Sequence, residues 1–168
     1  MKKILLLLLP LTLYSGFCIG QMTPNLKNPV QKTVLVKLKL PLIIIGHLET
    51  NSNSLIIDPN NLKIVKTYTD PQELKAFGEK GKNGVILAEL IHKTPLLKLE
   101  EVLAYFKVPA ENRTLKVLVD NTLVNPSLFL ADVEAIKEIE VTEQDLTAPV
   151  RYSWNKDEKF LNIVTAKN

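Results

Sequence analysis

The chain has 168 residues, 46% hydrophobic and 23% charged, with 21 Lys and Arg against 18 Asp and Glu for a formal charge of +3. That is a globular composition, long enough for one ordinary domain or two small ones and too short for a large multidomain enzyme. The weak basic excess does not support a nucleic-acid-binding face, a single cysteine excludes an internal disulfide framework or a CxxC metal cluster, and two histidines leave little for a His-rich metal centre.

The first twenty residues match the plan of a secretory signal peptide. Lys2 and Lys3 form the positive start, Ile4 to Leu9 is unbroken and apolar, and Pro10, Thr12, Ser15 and Gly16 interrupt the apolar residues after it. This stretch is too short and broken to span a bilayer, and cleavage after Gly20 is expected, with Gln21 as the new amino terminus. Most of the small positive excess leaves with Lys2 and Lys3. Cys18 could serve as a lipoprotein attachment site, but Phe17 puts a bulky side chain where a lipobox wants a small one. The preferred reading discards Cys18 with the leader. The expected location is the periplasm or cell envelope, with no transmembrane segment after cleavage.

Residues 21–32, with Pro24 and Pro29, read as a flexible lead-in. Residues 33–40 alternate Val34, Val36, Leu38 and Leu40 with Leu35, Lys37 and Lys39, the pattern of a strand with one apolar face. Leu42–Ile45 is a run of bulky aliphatics suited to a buried strand, and Asn51, Asn53 and Ser54 mark a loop. Asn60-Asn61 leads into a strand over Leu62–Tyr68. Asp70-Pro71 starts a short helix, Asp accepting the first free amides and Pro suiting the first helical position; the helix should end near Gly78. Residues 85–91 form a third strong strand. Leu99, Val102, Leu103 and Phe106 then recur at helical spacing, a connector helix whose stripe should pack on a sheet, closed by Val108-Pro109.

The most informative string is Phe77-Gly78-Glu79-Lys80-Gly81-Lys82-Asn83-Gly84-Val85-Ile86. A phosphate cradle would run from strand to loop to helix, whereas this string runs from helix to loop to strand. The structural reading is a helix-ending glycine followed by a tight turn.

These residues, together with Pro41-Leu42-Ile43-Ile44-Ile45 and Asp58-Pro59-Asn60-Asn61-Leu62-Lys63-Ile64-Val65, resemble the plug domain of TonB-dependent outer-membrane receptors, of the short Bacteroidetes type. Phe77 stands for the family's Tyr, and Gly78, Gly81, Asn83, Gly84, Val85 and Ile86 fit its turn motif. Gly46-His47 departs from the usual Asp-Gly, Lys66-Thr67-Tyr68 from Val-Leu-Lys, and Glu89 interrupts the last strand. The resemblance covers roughly residues 33–94. It implies a module that works through protein contacts in a receptor context, and a chain of this length leaves no room for the receptor's barrel.

The remainder repeats this unit. One gapless shift carries Leu42-Ile43-Ile44-Ile45 onto Lys116-Val117-Leu118-Val119, Leu62-Lys63 onto Ile136-Lys137 and Ile86-Leu87 onto Phe160-Leu161. It places Asp120-Asn121 near the family's Asp-Gly position. No glycine follows Gly84, so the second copy must build its turn around Arg151 to Asp157 differently. The expected fold is α+β, two small plug-like β-α-β-β units with short helices packed on small mixed sheets. The expected divisions are a signal peptide at 1–20, a lead-in at 21–32, plug-like unit 1 at 33–94, a connector helix at 95–109 and a degenerate plug-like unit 2 at 110–168.

Catalytic material is sparse: there is no GxSxG, no HExxH and no cysteine beyond Cys18. His47 with Glu49, and His92, are the only leads for a metal-dependent or hydrolytic enzyme, and both read more simply as solvated strand-end residues. Asp58 and Asp120 read as turn carboxylates and Glu100-Glu101 as the wet face of the connector helix; Trp154 and Tyr152 could form a binding spot, but the lone Trp reads more simply as partly buried core. No catalytic residue, cofactor or metal is expected. The leading reading is a non-enzymatic envelope module with a protein partner; a small enzyme using His47 and His92, or a ligand-binding module between the units, are the alternatives.

Overall fold

In the first half of the chain the aliphatic run Leu42–Ile45 is a strand (β1) that turns through Gly46-His47 into Leu48–Thr50 (β2). The pair is antiparallel, with Ile45 opposite Leu48 and Ile43 opposite Thr50. A two-residue hairpin loop demands a positive φ, and Gly46 supplies it at +61°. The Asn51 side chain then accepts from the Asn53 and Ser54 amides, each at 3.0 Å, and turns the chain into Leu55–Ile56 (β3). One turn of 3-10 helix, Pro59–Asn61, is capped by Asp58 and opens Leu62–Tyr68 (β4). A short helix, Pro71–Leu74 (α1), comes next. Val85–Leu90 (β5) completes the sheet, parallel to β1 and antiparallel to β4, in the order β2-β1-β5-β4.

The second half builds the same sheet again. Lys116–Val119 (β6) and Thr122–Leu123 (β7) form a hairpin, followed by Leu130–Ala131 (β8), a 3-10 turn at Val133–Ala135, Ile136–Glu143 (β9) and Lys159–Thr165 (β10). The order is β7-β6-β10-β9, again with one parallel pair at the centre and antiparallel strands outside it. The shift that carries Leu42 onto Lys116 also carries Pro59–Asn61 onto Val133–Ala135 and Leu62 onto Ile136, the first residue of β9. The structure, a computed structural model, describes residues 39–144, 147 and 150–166. The leader, Cys18 and residues 33–38 of the first expected strand lie outside them, and Lys39 and Leu40 are not in a strand.

How the halves are joined, which the sequence leaves open, is visible here. β3 and β8 pair in parallel, Leu55 with Leu130 and Ile56 with Ala131. Leu97 adds a bridge to Ala131, donating to its carbonyl at 2.8 Å and accepting from its amide at 2.9 Å. All described residues fall in one compact unit.

The connector helix is Leu99–Tyr105 (α2), shorter than the apolar stripe alone implies because Lys107 takes φ +54° and turns the chain out. The Lys98 amide donates to Glu101 at 2.7 Å, closing the first turn. Leu99, Val102 and Leu103 are buried against Phe129, Ala131, Val117, Leu161 and Ile163, so the stripe covers one face of the second sheet. Each such side chain contributes on the order of 1.5–3 kcal/mol by leaving water. The first sheet has a smaller cluster, Ile43, Ile45 and Ala88, with Leu55, Leu62, Ile86 and Leu90 packed against it. Among the described residues no helix is long and apolar enough to cross a membrane.

Between β9 and β10 the described residues form turns where the first half has a helix. Gln144 replaces the missing glycines: its side-chain oxygen accepts from the Tyr152 and Ser153 amides, and its nitrogen donates to the Ser153 and Asn155 carbonyls. Trp154 overturns an expectation. It is 70% exposed and not partly buried core; Tyr152 is the aromatic of this loop that packs inward, edge-on to Phe160.

Candidate functional site

The glycine string shapes the approach to β5. Asp70 accepts from the Gln72 and Glu73 amides at 2.7 and 3.3 Å and starts α1. With those first amides taken by a carboxylate, this end of the helix is not open to an anion. The chain continues in 3-10 turns over Lys75–Gly81, broken at Gly78, whose φ of +59° and ψ of −150° suit glycine alone. Gly81 is buried under Phe77, whose ring leans on Tyr68 with centroids 5.2 Å apart. The Gly84 amide donates to the Gly81 carbonyl at 2.9 Å, and the Gly84 carbonyl accepts from the Leu42 amide at 3.0 Å, the first rung between β5 and β1. Gly78, Gly81 and Gly84 thus form a turn that sets strand register, with Asn83 exposed at its tip.

Around it lie exposed ion pairs. Lys80 pairs with Glu49, and Lys82 with Glu79 at 2.6 Å. The Lys82 hydrogen bond and charge hold the Glu79 carboxyl below its ordinary range. These join a hairpin and a turn that are both in water, where such pairs contribute little.

The histidines do not share a site on any contact in the structure. His47 is exposed in the β1–β2 loop, and His92 is exposed after β5. The backbone at His92 is held by Asn61, whose side-chain oxygen accepts from the His92 amide at 2.6 Å and whose nitrogen donates to the His92 carbonyl at 3.2 Å. No group of three or more His, Cys, Asp or Glu among the described residues is arranged to hold a metal ion. Asp58 caps a turn, as its position indicates. Asp120 reaches further, accepting from the Thr165 amide and hydroxyl at 3.0 and 2.6 Å. Glu100 and Glu101 face water. Between the halves, Pro41, Thr50, Lys80, Asn125 and Ser127 line a hollow of about 220 Å³. That is below the usual 300–1,000 Å³ or so of a small-molecule pocket, and a second hollow of about 370 Å³, lined by Ile57, Asp58, Ala135 and Thr165, reaches only the lower end of that range.

The features with most to offer a partner are two strand edges. β4 and β9 are the outermost strands of their sheets, and among the described residues no strand pairs with their outer sides. They are the longest edges, seven and eight residues, where β2 and β7 have three and two. On β4, Ile64 is 60% and Val65 52% exposed, flanked by exposed Lys63 and Lys66. On β9, Val141 is 42% exposed, among exposed Glu138, Glu140 and Glu143. Lys66 meets Glu73 at 3.4 Å and sits 4.2 Å above the Tyr68 ring; Lys137 meets Glu138 at 2.8 Å, a hydrogen bond that raises the lysine's pKa. The sequence marks β4 as a strand, and the repeat sets the start of β9, Ile136-Lys137, at the matching place. Their outer position comes from the parallel pairing of β1 with β5 and of β6 with β10, which no local pattern announces.

No protein-family model, curated protein or solved structure matches the chain.

Proposed function

We propose that this chain is a non-enzymatic, exported module of the cell envelope that works through protein–protein contacts, as its resemblance to TonB-dependent receptor plugs implies. The observation that carries the reading is the pair of long strand edges. A row of outward amides and carbonyls with exposed apolar side chains is a template for another strand, and soluble proteins ordinarily shorten, bulge or charge such edges. β4 has a register shift between Ile64 and Lys66 and flanking lysines, yet keeps Ile64 and Val65 in water. Strand addition to such an edge takes affinity from main-chain hydrogen bonds and specificity from alternate side chains.

The test is affinity capture from envelope extracts with the tagged chain, against a variant carrying Ile64→Lys and Val65→Pro. Recovery of a defined outer-membrane or signalling protein by the native chain alone supports the reading. Capture that is the same for both, or a native chain that recovers no specific protein, refutes it.

A further inference from the structure

The two edges differ in charge, and the difference is complementary. On β4 the charges are Lys63 and Lys66; on β9 they are Lys137, Glu138, Glu140 and Glu143, a net negative edge. Pairing within each sheet fixes which side chains share a face. Lys63 and Lys66 lie opposite Glu89 and Leu87 on one face of the first sheet, while Leu62 and Ile64 lie opposite Leu90 and Ala88 on the other. In the second sheet Glu138 and Glu140 lie opposite Val164 and Asn162 on one face, Ile139 and Val141 opposite Ile163 and Leu161 on the other.

We propose that β4 of one molecule pairs with β9 of a second copy of this chain, antiparallel, so that the sheets join edge to edge. Setting Ile64 opposite Ile139 brings Lys63 to Glu140 and Lys66 to Glu138 on one face, with Val65 as the bulged residue. On the other face Leu62 meets Val141, and the exposed Ile64 and Val141 gain apolar neighbours. The apolar face of the first sheet, over Ile43, Ile45 and Ala88, then runs on into that of the second, over Leu161 and Ile163. β4 paired with β4 about Ile64-Val65 sets Lys63 against Lys66, and β9 paired with β9 about Ile139 sets Glu138 against Glu140, so both of these apolar-centred self-pairings are disfavoured. A contact between unlike edges leaves one edge of each kind free, so assembly continues to rings or filaments rather than stopping at a two-fold dimer.

This rests on the reading of the chain as a contact module and names its occupant. The experiment is sedimentation velocity of the full chain, expressed with its own leader and purified as the host delivers it, over a concentration series at low and high salt. The native chain is expected to pass beyond dimer with rising concentration, less so in high salt, where exposed charges are screened. The double variants Lys63→Glu/Lys66→Glu and Glu138→Lys/Glu140→Lys should each self-associate at least about tenfold more weakly, since like charges then face each other. Mixing the two variants should restore assembly, because each supplies the edge the other needs. Circular dichroism confirms folding, and Lys→Gln and Glu→Gln versions replace any reversal that does not fold. A native chain that stays monomeric, variants that assemble like the native chain, or a mixture that stays monomeric overturns the proposal. A monomeric native chain that still captures an envelope protein removes self-pairing alone; one that captures nothing removes the contact reading as well.

Discussion

Replacing Gly81 by alanine tests whether the glycine string is a packed turn. The new Cβ would lie 2.5 Å from Phe77 Cβ and 3.0 Å from Val85 Cγ2. Phe77 Cβ is anchored to the backbone and cannot swing away like the end of a long side chain, and the Phe77 ring is held against Tyr68. The turn must therefore open, at an overpacking cost of about 2–3 kcal/mol. Alanine returns about 0.4–1 kcal/mol by stiffening the unfolded chain. The net loss is about 1–2.6 kcal/mol, or a fall in Tm of roughly 3–10 °C for a domain of this size. Gly78→Ala is the control, because nothing lies within 4 Å of its Cβ while its φ of +59° is hostile to any L side chain. Its cost, about 1–3 kcal/mol, is backbone strain and should change little from alanine to leucine. At position 81 the cost should climb steeply with side-chain size. Urea unfolding of the four variants reads this directly. A Gly81→Ala protein within about 0.5 kcal/mol of native, or a size series that climbs at 78 and stays flat at 81, refutes the reasoning.

Three further outcomes are expected. Asn162 is 2% exposed, accepts from the Asn121 amide at 3.0 Å and donates to Glu140 at 3.1 Å. Asn162→Ala leaves that amide unpaired and should cost about 1–3 kcal/mol in urea unfolding. Asp120 and Asn121 both take positive φ, +45° and +62°, in a two-residue hairpin loop. Asn121→Gly creates the preferred Asp-Gly pair and should stabilise by about 0.5 kcal/mol, whereas a fall in the urea midpoint would contradict the turn geometry. Glu158 accepts hydrogen bonds from Lys116 and Ser153, which hold its carboxyl below the ordinary value of 4.5. The stability this contributes is present above that value and lost as pH falls through the depressed folded value. Native protein should therefore be more stable than Glu158→Gln near neutral pH, with the gap closing in strong acid, read from unfolding midpoints across pH.

The legibility of each element in the sequence depends on the range of the contacts that make it. β1, β4 and β5 are legible because bulky aliphatic residues recur with strand spacing, and α2 because Leu99, Val102 and Leu103 recur with helical spacing. Asp70-Pro71 and the glycines are legible because each imposes a local backbone demand. β3 and β8 are two residues each, and their existence depends on each other across the chain, so neither leaves a local trace. Trp154 misleads for a related reason. Its loop is organised by Gln144, which satisfies the backbone from across the turn, so the indole is not needed in the core.

The edge strands show the same limit where it bears on function. Ile64 and Val65 lie in a segment legible as a strand, but the residues alone do not say how covered that strand is. They would be core if β4 lay inside its sheet. The parallel pairing of β1 with β5 instead puts β5 in the middle and leaves β4 outside, and the second half repeats the arrangement with β9. Duplication normally yields two copies of one edge, and two like edges repel when they carry one charge. Here the shift that aligns the halves keeps Lys63 as Lys137, puts Glu138 at Ile64 and Glu140 at Lys66, and between the two lysine positions keeps an apolar residue only at Val65, as Ile139. The second edge has thus gained two carboxylates where the first has Ile64 and Lys66, and that change, rather than the duplication itself, gives the two edges the opposite charge that the proposed self-pairing uses.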